Sequence, residues 1–250
     1  MKVILRLLLL LIWLTLGFFW LLIFKKFFND RFLKKTLIVF GKVFIAICGL
    51  KISCKNDRFL KYCKNTVIIS NHISWLDIFV IHSVGIPGIF IAKSEIRRWP
   101  LLGLLISNAG TIFIDRTKRS SIVNVFKKSR SLLLEGKVII FFPEGTTSEG
   151  SEILPFHTSF FSLFLDSPEA KLLPIVIKYR KMGRRSIEPA YVGEMSLLDS
   201  IIKVLGSNNL EVCVEVLDCI SNNEKLILTK NVQLKRNLAE SIRIQMLSKL

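Results

Sequence analysis

The apolar positions of this chain follow a different pattern in each of its regions. Residues 7–24, LLLLLIWLTLGFFWLLIF, form a run without a single charge, and Val3 to Leu5 extend it toward the N-terminus. A helix of that length reaches the lower end of what spans a bilayer. Residues 32–50, FLKKTLIVFGKVFIAICGL, are apolar but carry lysines at 34, 35 and 42, which suits a second helix in or against a membrane interface. After about residue 51 short β-branched runs alternate with helical periodicity. TVIIS (66–70), IPGIFIA (86–92), GTIFID (110–115), KVIIFF (137–142), KLLPIVIKY (171–179) and LEVCVEVL (210–217) read as strands. Residues 74–84 and 120–135 read as helices, the second through Ile122, Phe126 and Leu133 up to a stop at Gly136. A last amphipathic helix is predicted over 231–250 through Val232, Leu234, Leu238, Ile242 and Met246. The alternation predicts an α/β fold: a mixed, mostly buried sheet flanked by helices, preceded by a membrane-embedded helical pair. The division expected is 1–50 for the anchoring helices and 51–250 for the α/β domain.

Composition sharpens this picture. Of 250 residues 51% are hydrophobic, and 36 Lys+Arg against 19 Asp+Glu leave a net charge of +17. A chain both basic and apolar suits anionic lipid surfaces or an acidic carrier. Nucleic acid is disfavoured: there is no zinc-finger spacing, no RNP-type motif and no basic helix interleaved with stacking aromatics. The N-terminal run is long for a signal peptide, and KKFFNDRF follows it rather than a small-x-small cleavage site. Lys2 and Arg6 precede the run, whereas Lys25, Lys26, Arg31, Lys34 and Lys35 follow it. The heavier basic flank predicts that the remaining chain stays on the cytoplasmic face, and the location expected is a cell inner membrane. Whether the helical pair spans the bilayer or dips into one leaflet stays open at this level.

The five cysteines are odd in number and form no C-x-x-C pair, so a reducing compartment is expected rather than a disulfide framework. His72, His82 and His157 make no ligand spacing with them, and no metal is expected. G-x-S-x-G, Walker, G-x-G-x-x-G and H-E-x-x-H motifs are all absent, which removes the familiar serine-hydrolase, nucleotide and zincin chemistries.

Candidate chemistry gathers after the strands. In NHISWLD (71–77), Ser74 and Asp77 fit a variant capping box, with His72 in the loop before the helix. A carboxylate bending back to one ring nitrogen would fix the tautomer and free the other nitrogen as a base. On this segment alone, a capped helix beside an ordinary loop histidine is the simpler reading. FFPEGTTSEG (141–150) puts Glu144 at a strand end, where it projects into a cleft or serves as a solvated turn residue. GTIFIDR (110–116) offers Arg116, either a fork for a phosphate or half of a surface ion pair. IAKSEIRRWPLLG (91–103) adds Lys93 and Glu95. In an open α/β sheet such strand ends converge on one crevice.

Taken in order, His72-x4-Asp77, GTIFIDR, FPEGTTS and LLPIV (172–176) resemble the four sequence blocks of the glycerolipid acyltransferase family, over roughly residues 65–180. Within it the chain is most similar to the bacterial 1-acyl-sn-glycerol-3-phosphate acyltransferases, as are the K-x-E stretch, the W-P-x-x-G stretch and the N-terminal apolar pair. The resemblance implies that His72 is the general base and Asp77 its orienting partner. It implies a phosphate site at Arg116 and Lys93, positioning of the glycerol portion by Glu144, Gly145 and Thr146, and an acyl side lined by Pro174 and its neighbours. The implied reaction moves an acyl group from acyl-CoA or acyl carrier protein, used as co-substrate with no other cofactor, to the sn-2 hydroxyl of 1-acyl-glycerol-3-phosphate, giving phosphatidic acid. Implied partners are the lysophospholipid acceptor, the donor and anionic membrane lipids.

This sequence departs from the family pattern at two places. Thr147 stands where E-G-T-R is common, and LPFHTSFF (154–161) has His157 and Ser159 where a Lys-x-Gly is common. The TTSEG form is also similar to lyso-ornithine lipid acyltransferases, whose acceptor carries no phosphate, so that acceptor is the alternative. A non-catalytic binder of anionic lipid and a hydrolase releasing the acyl group to water are the readings from other classes.

Overall fold

A computed structural model describes residues 1–24, 27, 30–86, 88–99, 101–222 and 232–250. Lys25, Lys26, Pro100 and the first residue of the predicted last helix lie outside these. The chain begins with α1 (Lys2–Phe24) and α2 (Asp30–Ile47). There follow β1 (Leu50–Lys55), β2 (Thr66–Ser70), α3 (Asp77–Ser83), β3 (Ile89–Lys93), α4 (Leu102–Asn108), β4 (Ile112–Ile114), α5 (Arg119–Leu134) and β5 (Val138–Phe141). After α6 (Ser162–Leu165) come β6 (Lys171–Lys181), β7 (Arg184–Arg185), α7 (Leu197–Gly206), β8 (Leu210–Val216), β9 (Ile220–Ser221) and α8 (Val232–Leu247).

The main sheet runs β1-β8-β6-β2-β5-β3-β4, with β7 and β9 paired to β6. β2 is parallel to both β5 and β6, and β3 is parallel to β5 and β4. The antiparallel pairings among these strands all involve β6, which pairs that way with β7, β8 and β9, so the sheet is mixed as the sequence predicts. All five residues of TVIIS are buried, the mark of a strand covered on both faces. Ile68 points into a core shared with α1 to α4 and α7, while Val67 and Ile69 point into the opposite core with α5, α6 and α8.

The N-terminal pair is not a separate unit. Leu10, Leu14 and Leu21 of α1 and the fully buried Phe44 of α2 belong to the same core as the sheet. At Gly41 α2 crosses α3 so closely that a Cβ would lie 2.8 Å from the Phe79 carbonyl oxygen. The expected boundary at 50/51 therefore marks a change of composition inside continuous packing. α1 is also the one helix among the described residues long and apolar enough to cross a membrane. Its outward side keeps Ile4, Leu5, Leu8, Leu9, Leu11, Ile12, Leu16, Phe19, Leu22 and Ile23 exposed.

The end of β2 is fixed to β6 by one side chain. The fully buried Asn71 amide donates to the Ile177 carbonyl at 3.0 Å and accepts the Ile177 N–H at 2.7 Å. It replaces the strand ladder just where β2 turns away. Asn71→Ala would leave both backbone groups buried and unpaired, which costs roughly 2–4 kcal/mol. Thermal unfolding of the variant is expected to fall by about 5–15 °C, a range set by the chain's size; an unchanged midpoint would show that water replaces the amide.

Candidate active site

β2 delivers the chain to the site, and the loop after it is built around one carboxylate. Asp77 opens α3 and is completely buried. Its Oδ2 lies 2.8 Å from His72 Nδ1 and accepts the backbone N–H groups of Ile73 at 2.8 Å and Ser74 at 3.0 Å. Its Oδ1 accepts the Tyr179 hydroxyl at 2.7 Å. The capping box expected from the sequence is thus half present: Asp77 reaches back to the Ser74 N–H. α3 itself starts at Asp77, with the Ser74 hydroxyl accepting only from Leu76 N–H at 3.3 Å.

These contacts fix the histidine. An oxygen that already accepts two N–H groups takes a third donor from the ring, so the proton sits on Nδ1 and Nε2 is left with its lone pair. The ring stacks on Phe142 with centroids 3.9 Å apart and planes within 9°. Burial, and then the Asp77 charge, push the Tyr179 phenol well above its ordinary value, so it remains a donor.

A second carboxylate holds the same loop from behind. Glu144 is buried, against the expectation that it faces the cleft. It accepts the His72 N–H at 2.7 Å through Oε1 and the Leu154 N–H at 2.8 Å through Oε2. Burial pushes its pKa up to about 7, opposed by those two N–H groups. Pro143 commits the backbone to a turn but does not decide which way the next side chain faces; the unpaired His72 N–H does.

The site opens into a cavity of about 450 Å³ lined by His72, Trp75, Phe90, Lys93, Glu95, Trp99, Arg116, Phe142, Gly145, Thr146, Thr147 and Tyr191, among others. It brings together His72, Lys93, Arg116, Gly145 and Thr146 from the predicted set, with Asp77 buried behind His72, and leaves out Glu144 and Pro174. Pro174 is buried in β6 opposite Ile69, at the gap between the β8 pairing at Ile175 and the β9 pairing at Leu172. A residue without an N–H fits that gap, so its place there is structural. Gly145 has φ +72°, and a Cβ on it would meet the Arg116 guanidinium at 2.4 Å and the His157 ring at 2.7 Å. Arg116 donates to the Gly145 carbonyl at 3.3 Å, and neither it nor Lys93 pairs with a carboxylate among the described residues. The Thr147 hydroxyl donates to the Tyr191 carbonyl.

Tyr179 and Phe142 escaped the reading of the sequence. Tyr179 falls on the same strand face as Ile175 and Ile177, so the register of β6 was the signal that could have found it.

The raised pKa of Glu144 makes stability pH-dependent. A folded-state value above the ordinary 4.5 means that the folded chain holds the proton longer. The associated stability is full below 4.5 and is lost as pH rises through about 7. Glu144→Gln carries no such proton. The wild-type minus variant difference in urea midpoint should therefore fall across that window, by on the order of 1–3 kcal/mol in stability. A difference independent of pH would show that Glu144 does not titrate there.

Known proteins place this geometry. The family model described as Acyltransferase matches residues 51–178. A 1-acyl-sn-glycerol-3-phosphate acyltransferase of Neisseria gonorrhoeae is 33% identical over 214 residues, covering 84% of this chain and 80% of that protein. A lyso-ornithine lipid O-acyltransferase of Rhizobium meliloti is 31% identical over 187 residues, 70% of this chain and 63% of that one. The crystal structure of the 1-acyl-sn-glycerophosphate acyltransferase of Thermotoga maritima shares the fold, with a TM-score of 0.65 at 20% identity, over 100% of this chain and 97% of that one. With a family model over half its length and a relative matched across four fifths of its own, the chain belongs to the acyltransferase family and is an acyltransferase.

Proposed function

We propose that the chain acylates the sn-2 hydroxyl of 1-acyl-glycerol-3-phosphate from an acyl thioester of coenzyme A or of acyl carrier protein, giving phosphatidic acid. The observation carrying this reading is the pair of cations, Lys93 and Arg116, lining the same cavity as His72. Both lack a carboxylate partner among the described residues, although Glu95 adds one carboxylate to the wall. A phosphate suits the fork of Arg116. His72 Nε2 takes the proton of the acceptor hydroxyl as its oxygen attacks the thioester carbonyl. The carbon–sulfur bond then breaks, and the thiolate leaves with the proton from His72. No acyl-enzyme forms.

The cavity continues toward the membrane-facing side. A second, apolar cavity of about 270 Å³ shares Ile78, Phe79, Phe90 and Ile106 with the first. Trp13, Leu16, Trp20 and Leu21 of α1 and Leu37, Val39 and Phe40 of α2 wall it. An acyl chain fits such a lining. The packing of α1 onto α4 and α7 favours a helix lying in one leaflet with its outward side in lipid, at the cytoplasmic face of the inner membrane.

General-base removal typically costs 10²–10⁴-fold. His72→Ala membranes should therefore lose transfer by about 10³-fold while remaining membrane-bound; retained turnover would end the mechanism. A lyso-ornithine lipid acceptor is the second reading, favoured by Thr147, which brings no cation to the cavity. Label from one acyl thioester, offered with both lysolipids in parallel, should appear in phosphatidic acid; label only in ornithine lipid moves the protein to the second reading, and free fatty acid alone makes it a hydrolase.

Arg116→Ala should raise the KM for lysophosphatidic acid roughly ten- to a hundredfold, the loss of one charge-assisted contact, with kcat little changed. An unchanged KM would remove Arg116 from the phosphate site.

A further inference from the structure

β6 runs well past the site. Its last pairing with β2 is at Ile175, yet it continues to Lys181 and turns back into β7. At the turn Met182 has φ +52° and Gly183 φ +78°, the positive pair of a type I′ hairpin. Asn or Gly ordinarily takes the first of these positions, because an L side chain with a Cβ is strained there. Here the strained residue is a methionine, and it is 78% exposed. Arg180, Arg184 and Arg185 around it are exposed, and none pairs with a carboxylate among the described residues.

The base of this hairpin is tied to the start of α1. Lys181 pairs with Glu188 at 2.6 Å, and the Ser207 hydroxyl donates to the other oxygen of Glu188. The Ser207 carbonyl accepts Lys2 Nζ at 3.1 Å and the Arg6 guanidinium at 3.1 Å. Ser207 directly follows α7, which packs on α1 and keeps Leu198 and Ile202, one helical turn apart, 58% and 44% exposed.

We propose that the lipid-docking surface of α1 continues across α7 to the β6–β7 hairpin, with Met182 entering the boundary between headgroups and acyl chains and Arg180, Arg184 and Arg185 binding anionic headgroups. The inference rests on the reading of α1 as a lipid-facing helix. Charge alone would equally suit an acidic protein. The apolar tip inside the cationic collar, and the exposed apolar edge of α7 joining it to α1, favour a bilayer. The hairpin then sets the rotation of the domain about α1 and holds the mouth of the cavity at headgroup level.

The test uses the full chain with an environment-sensitive fluorescent amino acid placed by nonsense suppression at Met182 or, separately, at Leu8. Each protein is mixed with vesicles of phosphatidylcholine alone or with phosphatidylglycerol added. Both probes should shift to the blue on the anionic vesicles. Arg184→Gln with Arg185→Gln should weaken anionic-vesicle partition about thirtyfold, at roughly 1 kcal/mol per cation, and leave turnover in detergent unchanged. A blue shift at 8 with a water-like signal at 182 overturns the hairpin proposal and keeps α1 in lipid. If the probe at 182 then responds to an acidic acyl carrier protein instead, the surface belongs to that partner. Water-like signals at both positions overturn the reading of α1 as well.

Discussion

The site depends on what it takes to keep one carboxylate away from water. Burying Asp77 completely would be prohibitive without partners. Four donors supply them: the ring of His72, two consecutive backbone N–H groups and the Tyr179 hydroxyl. Each donor is itself constrained by the contact. The two N–H groups fold the 72–77 loop into a tight nest, the ring is held in one tautomer, and Tyr179 links that nest to a strand far along the chain. The arrangement that solvates Asp77 is therefore the same one that prepares His72, and neither can be relaxed without the other.

The loop is gripped from two further directions. Asn71 anchors it to the backbone of β6, and Glu144 takes the His72 N–H. Glu144 in turn holds Leu154, whose carbonyl, with that of Ile153, accepts from Arg243 of α8. A path of direct hydrogen bonds thus runs from the C-terminal helix to the base. It explains why a residue of the third sequence block is turned inward.

Much of this was readable before any coordinates. TVIIS and LEVCVEVL have the composition of covered and alternating strands, and both appear within a residue of the expected limits. The spacing of His72 and Asp77 allowed the pair, since a carboxylate in a first turn can bend back to the preceding loop, but the four ordered blocks were needed to choose it over a simple cap. The failures have physical causes. β1 alternates around polar residues at a sheet edge, so LKISCK carried no apolar run. α4 is too short, at seven residues, to show a helical period. α7 did carry a signal, since the Ser196 hydroxyl accepts the Asp199 N–H in a Ser-x-x-Asp start. Glu144 and Pro174 were assigned to the cavity by motif, whereas their orientation depends on which backbone groups across the fold lack partners, which spacing does not encode.

The N-terminal helices show where composition alone misleads. Read as a sequence, residues 1–50 are an anchor attached to an enzyme. In the structure, the inward side of α1 and the C-terminal part of α2 are core, and the aromatic residues Trp13, Trp20 and Phe40 form the wall of the apolar cavity next to the site. Trp13 stacks on Phe40 at 5.3 Å and donates its ring N–H to the Phe40 carbonyl, so the wall is rigid across the helix pair. On the proposed reading, one helix faces lipid on its outer side and the acyl-chain path on its inner side. On that reading, docking to the bilayer and access of a lysolipid to His72 therefore rest on the same packing of α1 and α2.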